Sequence, residues 1–391
     1  MTDAVLTINA GSSSIKFALY SLQDMSPLLS GKIVNIGQSP SLKASDIHGT
    51  DLCQPAIEIG DQASTHETLI SWLLNWLKEH DSGILLKSVG HRVVHGGQSF
   101  TEATRVTPSV LLQLKALIPL APLHQGHNLS AIEAISKWAP RLPQVACFDT
   151  SFHHTQSELA KLFAIPRKYT ENGIIRYGFH GLSYEYIANQ LPKYLNKHAD
   201  ARVIVAHIGN GASMCALKNG RSVASSMGFT ALDGLMMGQR CGSLDAGVIL
   251  HLLQHYKMSA AAIEHMLYKE SGLLGVSGIS NNMQVLQQSD DPHAAEAINL
   301  YCYRAARELS SLVSTLNGLD AIVFTAGIGE NSALVREKIC EHLAWLGVVL
   351  DNKANQSNND VISNLKSSVQ VLIIPTNEEL VIAKATKALL E

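Results

Sequence analysis

Val5-Leu6-Thr7-Ile8-Asn9-Ala10-Gly11-Ser12-Ser13-Ser14-Ile15-Lys16-Phe17-Ala18-Leu19-Tyr20 reads as two strands joined by a turn of small residues. The same pattern returns far along the chain. Arg202-Val203-Ile204-Val205-Ala206 leads into His207-Ile208-Gly209-Asn210-Gly211-Ala212-Ser213, and Met214-Cys215-Ala216-Leu217 follows, then an Asn219-Gly220 hairpin turn and Ser222-Val223-Ala224. Two copies of one motif predict a duplicated domain, each copy presenting a glycine- and hydroxyl-rich turn to one shared cleft. The first domain is expected to span 1–149, closing after the apolar run Gln144–Phe148, and the second 150–375.

Helical periodicity at Thr65–Lys78, Pro108–Ile118, Leu129–Trp138, His293–Leu316 and Asn331–Trp345 alternates with short β-like runs, so the class is α/β. Thr376 and Glu379 have the spacing of a capping box, which predicts a last helix opening there. The polar stretch Asp351–Asn364 is expected to be a surface loop. With 391 residues, 46% of them hydrophobic, the chain is long enough for two cores. Thirty basic against thirty-three acidic residues, in no long run of either sign, argue against a nucleic-acid partner. No apolar run reaches a membrane span. Met1-Thr2-Asp3 carries no basic, apolar leader, and the six cysteines are scattered singly, so a cytoplasmic protein with reduced thiols is expected.

Several chemistries are excluded by what is missing. Gly31-Lys32 is followed by Ile33, so there is no P-loop, and no nucleophile elbow occurs. The turn Gly327-Ile328-Gly329-Glu330-Asn331-Ser332 follows a strand-like run but lacks the last glycine of a dinucleotide fingerprint. His91 and His95 fall on a predicted strand, where four residues span about 13 Å, too far to share a metal. The glycine turns remain. Asn9, Ser12, Ser14 and Lys16 offer amides, hydroxyls and one point charge to an anion. Arg92 and Arg240 each sit among glycines and apolar residues, suited either to a transferring phosphoryl group or to a buried ion pair.

These residues fall in stretches that together resemble the acetate kinase family: Asn9–Lys16, Gly90–Gly97, Cys147–His153, Arg176–Gly181, His207–Gly211, Met237–Ser243, Phe324–Asn331 and Pro375–Leu380, in order along the whole chain. The resemblance implies two ribonuclease-H-like domains of the actin-like ATPase type around a central nucleotide cleft, with a last helix, 376–391, returning to the first domain. It implies Mg2+-dependent transfer (Mn2+ in its place) between ATP and acetate, giving ADP and acetyl phosphate, by a homodimer. Arg92 and Arg240 would neutralise the phosphoryl group, His180 and Asn210 would bond its oxygens, and Asp149 would take an orienting role. Asn9 and Glu378 would contact the metal. The nucleotide would meet Ser12, Ser14 and Lys16, then His207, Ile208, Gly209, Asn210 and Gly211, then Asn282, Met283 and Gln284, and Gly327, Ile328, Gly329, Glu330 and Asn331. Arg92, Val94, Leu123, Phe179 and Ala231 would surround the acetate.

The chain also departs from the family pattern. Ala231 replaces a proline in the alkyl wall, and Gln125-Gly126 replace Asn-Pro after His124, which should loosen that loop. Leu182-Ser183-Tyr184 stand for Thr-Ser-His, and Asn282 and Gln284 for Asp and Arg. A propionate kinase would share every phosphoryl-handling residue, since one methylene changes binding by only about 1 to 3 kcal/mol. A non-catalytic nucleotide-binding paralogue would be expected to have lost Arg92, Arg240, Asp149 or Glu378, and all four are present.

Overall fold

The computed structural model describes residues 2–59, 65–80, 83–122, 124–195 and 200–390. The chain forms two compact units, Met1–Phe152 with Asn377–Glu391, and His153–Thr376. Unit 1 holds seven strands: β1 Thr2–Ala10, β2 Ser14–Ser21, β3 Pro27–Val34, β4 Ser41–Asp46, β5 Ile84–Val93, β6 Thr104–Arg105 and β7 Gln144–Phe148. Unit 2 holds β8 Arg202–Ile208, β9 Ala212–Lys218, β10 Arg221–Ser225, β11 Ala321–Thr325 and β12 Gln370–Ile373.

The sheet of unit 1 runs β4-β3-β2-β1-β5-β7-β6, and that of unit 2 runs β10-β9-β8-β11-β12. Stripped of β4 and β6, the two share one plan. The first strand pairs antiparallel with the second and the second with the third. On its other side the first strand pairs parallel with the fourth, and the fourth with the fifth. This is the duplicated actin-like ATPase architecture.

Burial on both sheet faces explains the nearly unbroken apolar strands. Leu6, Ile8, Ile15 and Phe17 pack with Leu69, Leu73, Ala131 and Ile135 of the helices His66–His80 and Gln125–Trp138. On the opposite face Val5, Ala18 and Tyr20 meet Leu380 and Ala383 of the helix Glu378–Ala388. In unit 2, Asp291 caps the helix Pro292–Leu316, whose buried stripe runs from Ala294 to Leu316.

Three local expectations are corrected. The Asn331–Trp345 periodicity is not one helix: Ser332 Oγ accepts from Val335 N–H and restarts the chain as Ala333–Glu341 after a first helix Ala326–Asn331. The 351–364 stretch contains the helix Asn352–Gln356, because the buried Asn355 is needed to bond Arg336. Thr376 is not the N-cap of the last helix. That cap is Asn377, whose Oδ1 accepts from Leu380 N–H at 2.9 Å.

Candidate active site

In open sheets with parallel strands, ligands are met at the carboxyl ends, and both units gather polar side chains there. In unit 1, Ile8 lies opposite His91, and Arg92 opposite Cys147, so Asn9, Arg92 and Asp149 follow one another across β1, β5 and the end of β7. Asp149 is 1% exposed and grips the guanidinium edge-on: Arg92 Nε donates to both carboxylate oxygens at 3.1 Å and Nη2 to Oδ2 at 2.5 Å. Arg92 Nη1 donates to Asn9 Oδ1 at 3.0 Å. Burial alone would depress the guanidinium pKa, but Asp149, Glu378 and Glu379 outweigh it and raise it.

Glu378 opens the helix that packs beneath this cluster. Burial, opposed by Arg92 and assisted by the charges of Asp149 and Glu379, pushes its carboxyl up to about 7. Three carboxylates therefore bear on one guanidinium, an excess of negative charge that a hard divalent cation would relieve. The oxygen donors Asn9 and Glu378 fit magnesium's preference. Lys16 stands opposite Asn9 and Lys32, and with Lys32, Lys43, Asn377 and Glu379 it lines a groove of about 740 Å³. Ser12 and Ser14 lie on the turn itself, Ser12 exposed and Ser14 half-buried. Val94 is buried directly after β5, and Leu123 lies outside the described residues.

In unit 2 the turn between β8 and β9 carries Gly209, Asn210 and Gly211. His180 precedes the helix Gly181–Gln190 with φ 57°, a left-handed conformation that costs a non-glycine residue roughly 1 kcal/mol. Its Nδ1 bonds Ser213 Oγ at 2.7 Å, its ring stacks on His207 at 4.2 Å, and Tyr184 Oη also meets Ser213 Oγ. A Cβ built on Gly211 would stand 3.7 Å from His180 Nε2 and 3.9 Å from Arg240 Nη1, so both groups converge over that glycine. Arg240 Nη1 donates to Ala231 O at 2.9 Å, which ties the segment expected to form the alkyl wall to the charge. Phe179 is buried next to His180.

A cleft of about 800 Å³ brings together Asn210, Asn282, Met283, Gln284, Gly327, Ile328 and Asn331. The other residues expected to line it have different employment. His207 is 8% exposed, backs His180, and bonds Ser183 Oγ through Nδ1 at 2.8 Å, while Ile208 and Gly329 are buried. Glu330 turns inward: its Oε1 accepts from Ala326 N–H at 2.7 Å and Thr376 N–H at 3.1 Å. That carboxylate steadies Ala326, which sits at φ 66° where the strand must break sharply into the helix. Asn282 is the N-cap of the helix Met283–Gln287, Oδ1 accepting from Gln284 N–H at 2.9 Å, a task that Asp and Asn perform equally.

Sequence reasoning missed Asn281, Gln287, Gln288 and Ser332 in this cleft, where Gln287 Nε2 donates to Ser332 Oγ at 2.6 Å. The signal was the amide-rich run after Asn281. It also missed the grip of Gln125. Far from loosening its loop, Gln125 is fully buried, accepts from His95 N–H at 3.1 Å and donates to His95 O at 3.0 Å, and the helix begins at Gln125 itself.

Residues 4–384 match the model of the acetokinase family. An acetate kinase of Rhodopseudomonas palustris is 52% identical to this chain over 98% of each. The crystal structure of a Porphyromonas gingivalis acetate kinase superposes with TM-score 0.88 at 35% identity over the whole of both chains. A propionate kinase from Francisella tularensis gives 0.91 at 37% identity over 98% of both. With the family match running through both units and relatives this similar over the whole chain, the chain belongs to the acetokinase family.

Proposed function

We propose that the chain is an acetate kinase: it transfers the γ-phosphoryl group of ATP to acetate, reversibly, giving acetyl phosphate and ADP. The observation that carries the reading is the Arg92–Asp149 pair at the strand ends of unit 1, in a chain of this family. A carboxylate oxygen of acetate forms a bond to the γ-phosphorus while the bond from that phosphorus to the β,γ-bridging oxygen breaks and its electrons leave with ADP. Acetate is already a nucleophile and needs no base, which leaves Asp149 free to orient Arg92. Arg92 and Arg240 spread the charge of the phosphoryl group, and Asn210 and His180 Nε2 donate to its oxygens. Magnesium, held through Asn9 and Glu378, would neutralise the triphosphate.

The amide-lined cleft of unit 2 receives the nucleoside. Gln284 offers the base no cationic face of the kind an arginine supplies, and amides serve as both donors and acceptors, so adenine and guanine should be separated by about tenfold or less. Ala231, where the family carries proline, widens the alkyl wall and supports propionate as a second acceptor. The six cysteines, scattered singly along the sequence, support a cytoplasmic setting. The helix Ala246–Gln254, apolar yet with no buried residue, supports a homodimer that covers it.

The test is hydroxamate trapping of acyl phosphate with ATP and Mg2+ across formate, acetate, propionate and butyrate. Acetate is expected to lead, with propionate within about tenfold in kcat/KM. Absence of acetyl hydroxamate with a folded, ATP-binding protein would remove the reading, and a propionate preference above about a hundredfold would replace acetate by propionate.

A further inference from the structure

We propose that His66 and Asn128 are positioning residues that hold the glycine turn between β1 and β2 in its anion-receiving form, an inference that rests on reading that turn as part of the nucleotide site. The turn is closed by Gly11 N–H donating to Ser14 O at 2.8 Å. Its two leading carbonyls are drawn toward the helices. Asn128 Nδ2 donates to Ala10 O at 2.7 Å, and His66 Nε2 lies 2.6 Å from Gly11 O. A carbonyl only accepts, so His66 Nε2 carries the proton. In a planar trans peptide the N–H points opposite to the C=O, so pinning Gly11 O toward His66 aims Ser12 N–H away from it, on an exposed residue. Withdrawing two carbonyls also removes partial negative charge from the side on which a phosphate would lie.

The same amide does a second job. Asn128 Oδ1 accepts from Val94 N–H at 3.0 Å, so one side chain, 1% exposed, bridges the carboxyl ends of β1 and β5. Those ends carry Asn9 and Arg92, whose own contact is the 3.0 Å bond from Nη1 to Oδ1. His66 is 7% exposed, and its ring is fixed by stacking on His127 at 4.3 Å. The two grips come from the first turns of the helices His66–His80 and Gln125–Trp138, which share the core beneath the sheet.

The deciding series is His66→Phe, which keeps a stacked ring but deletes the donor, and His66→Gln, which restores a donor. Asn128→Asp is added because it keeps the acceptor for Val94 and loses the donor for Ala10. ATP dissociation constants by calorimetry and KM for ATP and acetate separately are the readouts, with circular dichroism as the folding control. His66→Phe and Asn128→Asp should weaken ATP binding and raise its KM by about tenfold while acetate KM stays within about twofold, and His66→Gln should stay within about threefold of wild type throughout. Unchanged ATP binding in His66→Phe, or equal losses in Phe and Gln, would overturn the proposal. If the wild type binds ATP without making acetyl phosphate, the functional reading fails while the binding series still decides the positioning role. If the wild type binds no ATP, the turn is not an anion receptor and both fail together.

Discussion

Arg92 and Arg240 look equivalent in the sequence and are not equivalent in the structure. Replacing either with alanine should lower kcat by about 10³ to 10⁵, the range for an arginine acting on a phosphoryl transition state. Stability should separate them. Arg92→Ala strands the carboxylate of Asp149, 1% exposed, at a cost of about 3 to 5 kcal/mol, whereas the bond that Arg240→Ala removes from the neutral Ala231 carbonyl is worth about 1 kcal/mol. Urea denaturation of the two variants checks this, and equal losses would mean that Asp149 is satisfied without Arg92. Glu378 supplies a pH signature. Its carboxyl is raised from 4.5 to about 7, so across that window the folded chain keeps a proton the unfolded chain has released, and stability falls as pH rises. Glu378→Gln should therefore gain about 1 to 3 kcal/mol over wild type between pH 5 and pH 8 in metal-free buffer. An identical pH profile for both proteins would show that Glu378 is not the buried acid. Residue types announced these positions, but the pairings were hidden, because Arg92 and Asp149 meet only through the parallel neighbours β5 and β7.

Among the elements, the hairpins were the most legible. Alternating apolar strands around Gly-Ser and Asn-Gly turns depend on local chemistry, and β1–β2 and β8–β10 stand where that chemistry puts them. The Asn331–Trp345 and 351–364 segments were misread because their form is set by a tertiary demand, the fully buried Arg336. It donates to Gly329 O, Glu330 O and Asn355 Oδ1 and so locks the helix Ala326–Asn331 to its neighbours. The helix Glu378–Ala388 carries a comparable demand into β5. A Cβ on Gly90 would overlap Thr386 Oγ1 and Ile382 Cγ2, so glycine is required there for contact rather than for backbone freedom. Gly90→Ala should cost about 1 to 3 kcal/mol and, by lifting the helix that bears Glu378, raise the magnesium concentration needed for half-maximal rate. Stability and magnesium titration measured together check this. A variant as stable as wild type would show that the helix seats itself elsewhere.

On the scale of the molecule, Val248, Leu250, Leu253 and Tyr256 are 38 to 69% exposed on or just after the helix Ala246–Gln254. Light scattering should give twice the 42.2 kDa chain mass for wild type and the single mass for Leu250→Glu at micromolar concentration, while a monomeric wild type would leave that face without an occupant. The division of the chain also has a temporal meaning. Unit 1 is discontinuous: its last stretch, Asn377–Glu391, follows all of unit 2 in chain order. On the ribosome the β1–β5 sheet must wait, one face uncovered at Val5, Ala18 and Tyr20, while more than two hundred further residues are made, counting His153–Thr376. Glu378 arrives only with the segment that covers that face, so a nascent chain cannot bring this carboxyl to Arg92 before both folding units have been synthesised.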